Sequence, residues 1–183
     1  MTKNKPRSHS LAMSLLVGLC ALSGSNVGCS SSGSSSTAEE LGLIPVEIAA
    51  PDFTLPTLQG PDITLSDLHG TSVVLNFWAI QCPPCRMELP YFDSAAKEYA
   101  GEVAVLAVDI QDSLANLKQF FGDNTLDFIV VLDGNGSVAS NYSIRYTPST
   151  FFIDSEGIIR YVKVGPFADE KELQESIHAL LNE

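Results

Sequence analysis

Basic residues are scarce in this chain: 10 Lys and Arg stand against 22 Asp and Glu in 183 residues, a formal net charge of −12. Lys3, Lys5 and Arg7 fall in the first 38 residues, which hold no acid, so the remainder carries 7 basic against 22 acidic residues, a net of −15. Such a surface repels nucleic acid and anionic lipid headgroups, which leaves solubility as the meaning of the charge and proteins as the partners. Histidine is rare as well, at three. Only His69 and His178 lie past the leader, in segments that read as a surface turn and the outer part of the last helix, with no paired spacing. A closed zinc site needs four ligands and is poorly served by these, and a Ser-His-Asp hydrolase has no support either. No Gly-rich phosphate loop is present, so nucleotide binding drops out.

A long hydrophobic run is also missing. Leu11 to Gly24 is apolar with small residues, but shorter than the ~20 residues a spanning helix needs. With the basic start before it and Gly28-Cys29 after it, it has the layout of an export signal; an uncleaved anchor is the alternative. Val27-Gly28-Cys29 resembles the end of a bacterial lipobox, in which the cysteine is lipidated, although Asn26 stands where that motif has an aliphatic residue. Ordinary cleavage to a free secreted protein is the other outcome. Ser30 to Thr37 is low in complexity and reads as a flexible tether. The expected organisation is a lipoprotein-type signal peptide over 1–29, a Ser-rich tether over 30–45 and one folded domain over 46–183, a length that suits a single well-buried core.

Cysteine is used sparingly, four times. Cys20 lies in the leader and Cys29 is the candidate lipidation position, so the domain keeps only Cys82 and Cys85, in "FWAIQCPPCRMELP". Export permits disulfides, yet closing so short a loop gains little chain entropy and a structural staple explains the pair badly.

The surrounding pattern predicts short strands at Phe53–Leu55 and Ile63–Leu65, then a one-turn helix capped by Ser66. "SVVLNFWAI" is apolar on both faces, the mark of a central strand covered on both sides. A helix from Pro83 to about Ala100 follows, with Pro90 expected to kink it. "EVAVLAVDI" is a second buried strand, Ser113 to Phe121 a second helix capped by Ser113, "DFIVVLD" a third strand and Ser137 to Tyr142 a short helix. Thr150–Ile153 and Ile158–Val164 read as a hairpin, and Asp169 to Leu181 as a closing helix capped by Asp169. The order predicts an α/β fold, a mixed sheet between helical layers.

Cys82 and Cys85 therefore stand where a buried strand exits into a helix, beside free amide groups and the positive end of the helix dipole. Both favour thiolate, the attacking species, and mark Cys82 as the nucleophile. Pro83 and Pro84 offer no N–H, so the expected donor to the Cys82 sulfur is the amide of Cys85. Fewer donors favour a moderate reductant over a strong oxidant. Cys85, one turn inside, reads as the shielded resolving thiol; two inert buried thiols are the bland alternative.

"VVLNFWAIQCPPCRMELP", followed by "YTPSTFFIDSEGIIR", resembles the thioredoxin-like extracytoplasmic thiol–disulfide oxidoreductases of the TlpA/ResA type, within the AhpC/TSA-redoxin superfamily. The resemblance runs from about Ala50 to the C-terminus and includes the opening "APDFTL", with an N-terminal β-hairpin, and an inserted strand and helix before "FIVVLD". It implies a thioredoxin-like fold and an enzyme whose cofactor is its own Cys82–Cys85 disulfide. Trp78, Gln81, Pro83 and Pro84 fall on the substrate-facing rim, as do Thr147 and a cis Pro148, whose loop faces the disulfide. Glu88 falls where several members carry an acid that could take and return the proton of Cys85; an acid placed there for the helix dipole alone is the other reading. The implied partners are exported proteins with cysteine pairs, apocytochrome c among them, and a membrane electron donor, with work outside the cytoplasm from a lipid anchor.

Departures from the pattern bear on the partner more than on the reaction. Gln81 replaces the usual Trp before the first cysteine, and Asn76 replaces a buried Asp. An oxidase or isomerase would use the same site. A peroxidase lacks its Thr or Ser, since Ala79 and Leu75 occupy the positions where those enzymes hold a hydroxyl residue and a Pro. A non-catalytic peptide-binding module would have no need for two thiols at a helix start.

Overall fold

Three apolar runs become neighbouring strands at the centre of the molecule. The computed structural model describes residues 37–182. In it β1 (Ile44–Ala49), β2 (Thr54–Leu55) and β3 (Ile63–Thr64) precede β4 (Ser72–Trp78), β5 (Val103–Ile110), β6 (Ile129–Asp133), β7 (Ser149–Ile153) and β8 (Ile158–Val164). The helices are α1 (Pro83–Glu98), α2 (Leu114–Phe121), α3 (Ser137–Asn141) and α4 (Glu170–Leu181). Six strands form one sheet in the order β1-β8-β7-β4-β5-β6, while β2 and β3 pair separately. β4, β5 and β6 run parallel and the remaining pairs antiparallel. Parallel neighbours require a crossover, which α1 and α2 supply.

The strict side-chain alternation of a strand, with both faces covered, explains why β4 is apolar at five of its seven positions, Ser72 and the buried Asn76 being the exceptions. Val73, Leu75 and Phe77 enter one hydrophobic cluster with Val138 and Ala139 of α3 and Tyr142 at its C-terminal end. Val74 and Trp78 enter the other, with Leu89 and Phe92 of α1, Leu117 and Phe121 of α2, and Leu173, Ile177 and Leu180 of α4. The layered mixed sheet is the one expected, and the caps hold: Ser113 accepts from the Asn116 amide and Asp169 from the Glu172 amide.

Two local expectations are corrected. Ser66 does not cap a helix; it lies inside a 3-10 turn, Leu65–Leu68, whose N-cap is Thr64, and its amide and hydroxyl both donate to Asp52. The folded part also begins before residue 46. Leu41 and Leu43, assigned to the tether, are 4% exposed and sit in the cluster beneath α1 and α4, and β1 adds an edge strand along β8. The segment is easy to miss because β1 itself stays exposed apart from half-buried Val46, and Leu41 and Leu43 are buried just before it. Leu43→Ala should therefore cost about 2 kcal/mol or more in urea unfolding; a cost near zero would return these residues to the tether. The expected signal peptide, Cys29 and residues 30–36 of the expected tether lie outside the described residues.

Candidate redox site at the start of α1

β4 ends at Trp78 and the chain turns through Ala79 to Gln81 into α1. Cys82 is the N-cap, with extended backbone at φ −95° and ψ 100°, and Pro83 and Pro84 fill the first two helical positions. Proline there is preorganised for a helix and forfeits only amides that have no intrahelical acceptor. The first amide able to reach the Cys82 sulfur is that of Cys85, which donates to Sγ at 3.3 Å.

Cys82 and Cys85 form a disulfide, with Cα atoms 5.3 Å apart. Cys85 is fully buried and Cys82 is 9% exposed, so a partner reaches the pair through Cys82. Facing it, the Thr147–Pro148 peptide is cis, and the Thr147 carbonyl oxygen lies 3.6 Å from Cys82 Sγ. A disulfide sulfur carries no proton, so this is a contact; a Cys82 thiol could donate across the same gap. Gln81 and Pro83 are exposed, Pro84 and Thr147 half-buried and Pro148 buried.

Trp78 is not part of that rim. Its side chain is fully buried, with ring centroids 5.7 Å from both Phe120 and Phe121. The alternation of β4 turns it into the α1–α2 layer, and it supports the site from below without reaching a substrate.

Glu88 is no surface acid. It is 1% exposed, three residues beyond Cys85 on the same face of α1. Asn76 Nδ2 donates to its Oε1 at 3.2 Å and the Phe167 amide to its Oε2 at 3.1 Å. Burial pushes its carboxyl up to about 7, against the pull of these two donors and of the Lys163 ammonium. The site thus holds a carboxyl that changes protonation near neutrality one helical turn from the resolving thiol. Asn76, read as the loss of a buried acid, is the residue that positions this one. Its Oδ1 is buried without a partner among the described residues. Turning the amide over would let Oδ1 accept the proton of a neutral Glu88.

A pair of carboxyls near the site was missed by sequence reasoning. Asp112 Oδ2 accepts from the Ile80 amide at 3.0 Å, fixing the turn before Cys82, and the Asp112 amide donates to Asp109 Oδ1 at 3.1 Å. Asp109 is fully buried beside Trp78 in the β4–β5 register. Burial, with the Asp112 charge added, pushes it up to about 7. The available signal was an acid closing an otherwise apolar strand in "VAVLAVDIQD". Two exposed apolar side chains also escaped notice: Met87 on α1 and Tyr146 before Thr147, at 73% and 72% exposure.

Among the described residues no group of three or more His, Cys, Asp or Glu is placed to hold a metal ion, and no helix is long and apolar enough to cross a membrane.

Comparison with known proteins places this geometry. The AhpC/TSA family model matches residues 46–162. Thiol-disulfide oxidoreductase ResA of Geobacillus thermodenitrificans is 34% identical over 137 residues, 73% of this chain and 79% of that protein. Among solved structures, a thiol:disulfide interchange protein DsbE from Chlorobium tepidum aligns with TM-score 0.69 and 32% identity, over 76% of this chain and 99% of that one. The exposed lipoprotein thioredoxin Etrx1 of Streptococcus pneumoniae aligns with TM-score 0.64 and 30% identity, over 70% and 99%. Both solved structures share the thioredoxin-like arrangement seen here.

Proposed function

This chain belongs to the AhpC/TSA family and is a thiol–disulfide oxidoreductase, and from that premise we propose that it works as a reductase of disulfides in exported proteins, tethered outside the cytoplasm through a lipidated Cys29. The observation that carries the reading is the pairing of an N-cap Cys82, 9% exposed and the more accessible of the two, with a fully buried Cys85 one turn before the buried Glu88. In the reduced protein the Cys82 thiolate, held by the helix dipole and the Cys85 amide, attacks one sulfur of a substrate disulfide. One substrate thiolate leaves and a mixed disulfide forms. Glu88 takes the proton of Cys85, the Cys85 thiolate attacks Cys82 Sγ, and the second substrate thiolate leaves. Two electrons have passed to the substrate, and the protein is left with its Cys82–Cys85 disulfide. A membrane dithiol donor then restores the reduced state, returning the proton through Glu88.

Gln81, Pro83, Pro84, Thr147 and Pro148 form the docking rim, and Met87 and Tyr146 extend it with apolar surface for a partly unfolded chain. The deficit of basic residues keeps nucleic acid and acidic lipid away from it. Apocytochrome c, with its cysteine pair, is a substrate of the right chemistry. The exposed lipoprotein among the structural neighbours supports the anchoring at Cys29.

Direction is decided by potential. Equilibrating the protein with thiol buffers while following Trp78 fluorescence should give a reversible two-electron couple near the reducing end of the family, about −270 mV. A couple near about −120 mV would make the protein a disulfide donor instead.

A further inference from the structure

Lys163 is a buried cation that the dithiol mechanism leaves unused. It is 8% exposed, in a strand otherwise made of apolar and surface residues. Its Nζ donates to Glu172 Oε1 at 2.7 Å and to the Leu41 carbonyl at 2.9 Å, and lies 5.4 Å from the centre of the Phe167 ring. Gly42, at φ +64°, brings the N-terminal turn close over it; a Cβ there would stand 3.4 Å from Nζ.

The position of Lys163 in the sheet ties it to the redox site. Asn76 is opposite Thr150, and Thr150 is opposite Lys163. Directly opposed residues project on the same face about 5 Å apart, so the three make one row across β4, β7 and β8. Glu88 closes the row at one end through Asn76 Nδ2, which also donates to Thr150 Oγ1 at 3.0 Å. Glu172 closes it at the other. The loop between β8 and α4 spans both ends: the Phe167 amide donates to Glu88 Oε2, and the next amide, of Ala168, donates to Glu172 Oε2 at 2.6 Å. The row is therefore a polar strip set into an apolar layer, with two carboxyl groups and one ammonium.

We propose that Lys163 is a positioning residue for the thiol chemistry, its ammonium joining Glu88 and Glu172 in one buried network so that Glu88 can carry charge behind Cys85. The inference rests on the dithiol reading given above. The charged groups facing Glu88 from the elements packed on it are Lys163 on β8 and Glu172 on α4, one favouring its ionised form and the other opposing it. Burying a carboxylate without a counter-charge is costly. With Lys163 neutralised, Glu88 would keep its proton through the neutral range and cease to accept the one from Cys85. Glu172 holds the ammonium in place and also opposes the Glu88 charge directly.

The test is the titration of the Glu88 carboxyl by carbon-13 NMR in the oxidised full chain, assigned by the signal that Glu88→Gln removes. Lys163→Met should move the midpoint upward by about 1 pH unit or more, the size expected for losing a nearby opposite charge. Lys163→Arg should keep it close to that of the unaltered protein. Glu172→Gln should move it downward, because the ammonium is then left to Glu88 alone. In single-turnover disulfide reduction the pH profile should move with the midpoint in each variant. An unmoved midpoint in folded Lys163→Met overturns the proposal, as does an equal shift in Lys163→Met and Lys163→Arg, which would indicate packing. Should Lys163→Met not fold, an unmoved midpoint in Glu172→Gln overturns it alone. Failure of the dithiol reading shows separately, as an unaltered protein that reduces no disulfide at any pH.

Discussion

Cys85→Ser is expected to stop turnover by trapping the protein on its substrate. The Cys82 sulfur stays at the helix start, so the first attack proceeds and a mixed disulfide forms. The serine hydroxyl at 85 remains protonated at neutral pH and cannot displace it. Mass spectrometry after mixing with a disulfide-bonded protein should find the covalent adduct at Cys82, and multiple-turnover reduction should fall by at least about 10³-fold, as for loss of a participating nucleophile. Cys82→Ser should fall as far without any adduct. The burial difference predicts this asymmetry: Cys82 is reachable, whereas Cys85 is fully enclosed. An adduct on Cys85 in the Cys82→Ser protein, with none in Cys85→Ser, would reverse the assigned roles.

Glu88→Gln should change both the pH dependence of stability and that of exchange. The folded carboxyl holds its proton up to about 7, against a usual value of 4.5. Between those values the folded state binds more protons than the unfolded state, so stability falls as pH rises through the window. The loss is absent below about 4.5 and complete above about 7, and amounts to on the order of 3 kcal/mol. Glutamine has no charge to bury. Relative to the unaltered protein, Glu88→Gln should therefore gain about 3 kcal/mol between pH 4 and pH 8 in urea unfolding of the oxidised forms. Comparing the two proteins cancels the contribution of Asp109, which is also pushed up to about 7 and falls in the same window. Parallel stability curves would remove Glu88 from the buried titrating groups. In single-turnover reduction the variant should slow resolution by about 10²-fold at neutral pH, the usual worth of a placed proton acceptor. It should also lose the titration near 7.

Much of this was legible in the residues. The apolar runs fixed β4, β5 and β6 because a strand buried on both faces is apolar at nearly every position, and few other elements of that length need be. Ser113 and Asp169 announced their helices because a cap is a local hydrogen bond, made within three residues. The Cys-Pro-Pro-Cys order even specified the single amide that reaches Cys82, since proline removes the competitors. Where several distant strands had to meet before a residue acquired a role, the reading failed. Trp78 looked like rim and is core; Leu41 and Leu43 looked like tether and are core; Ser66 looked like a cap and ties down Asp52.

Glu88, Asp109 and Lys163 mark the same boundary in the chemistry. Each is an ordinary charged residue in one dimension, and its role depends on what covers it and which charges face it. The local sequence by itself determined the strand order in the chain, the helix start and the reactive pair placed there. The tertiary structure alone decided that Asn76, Thr150 and Lys163 align across three strands behind that pair, because register between strands far apart in sequence is set by packing of the whole sheet.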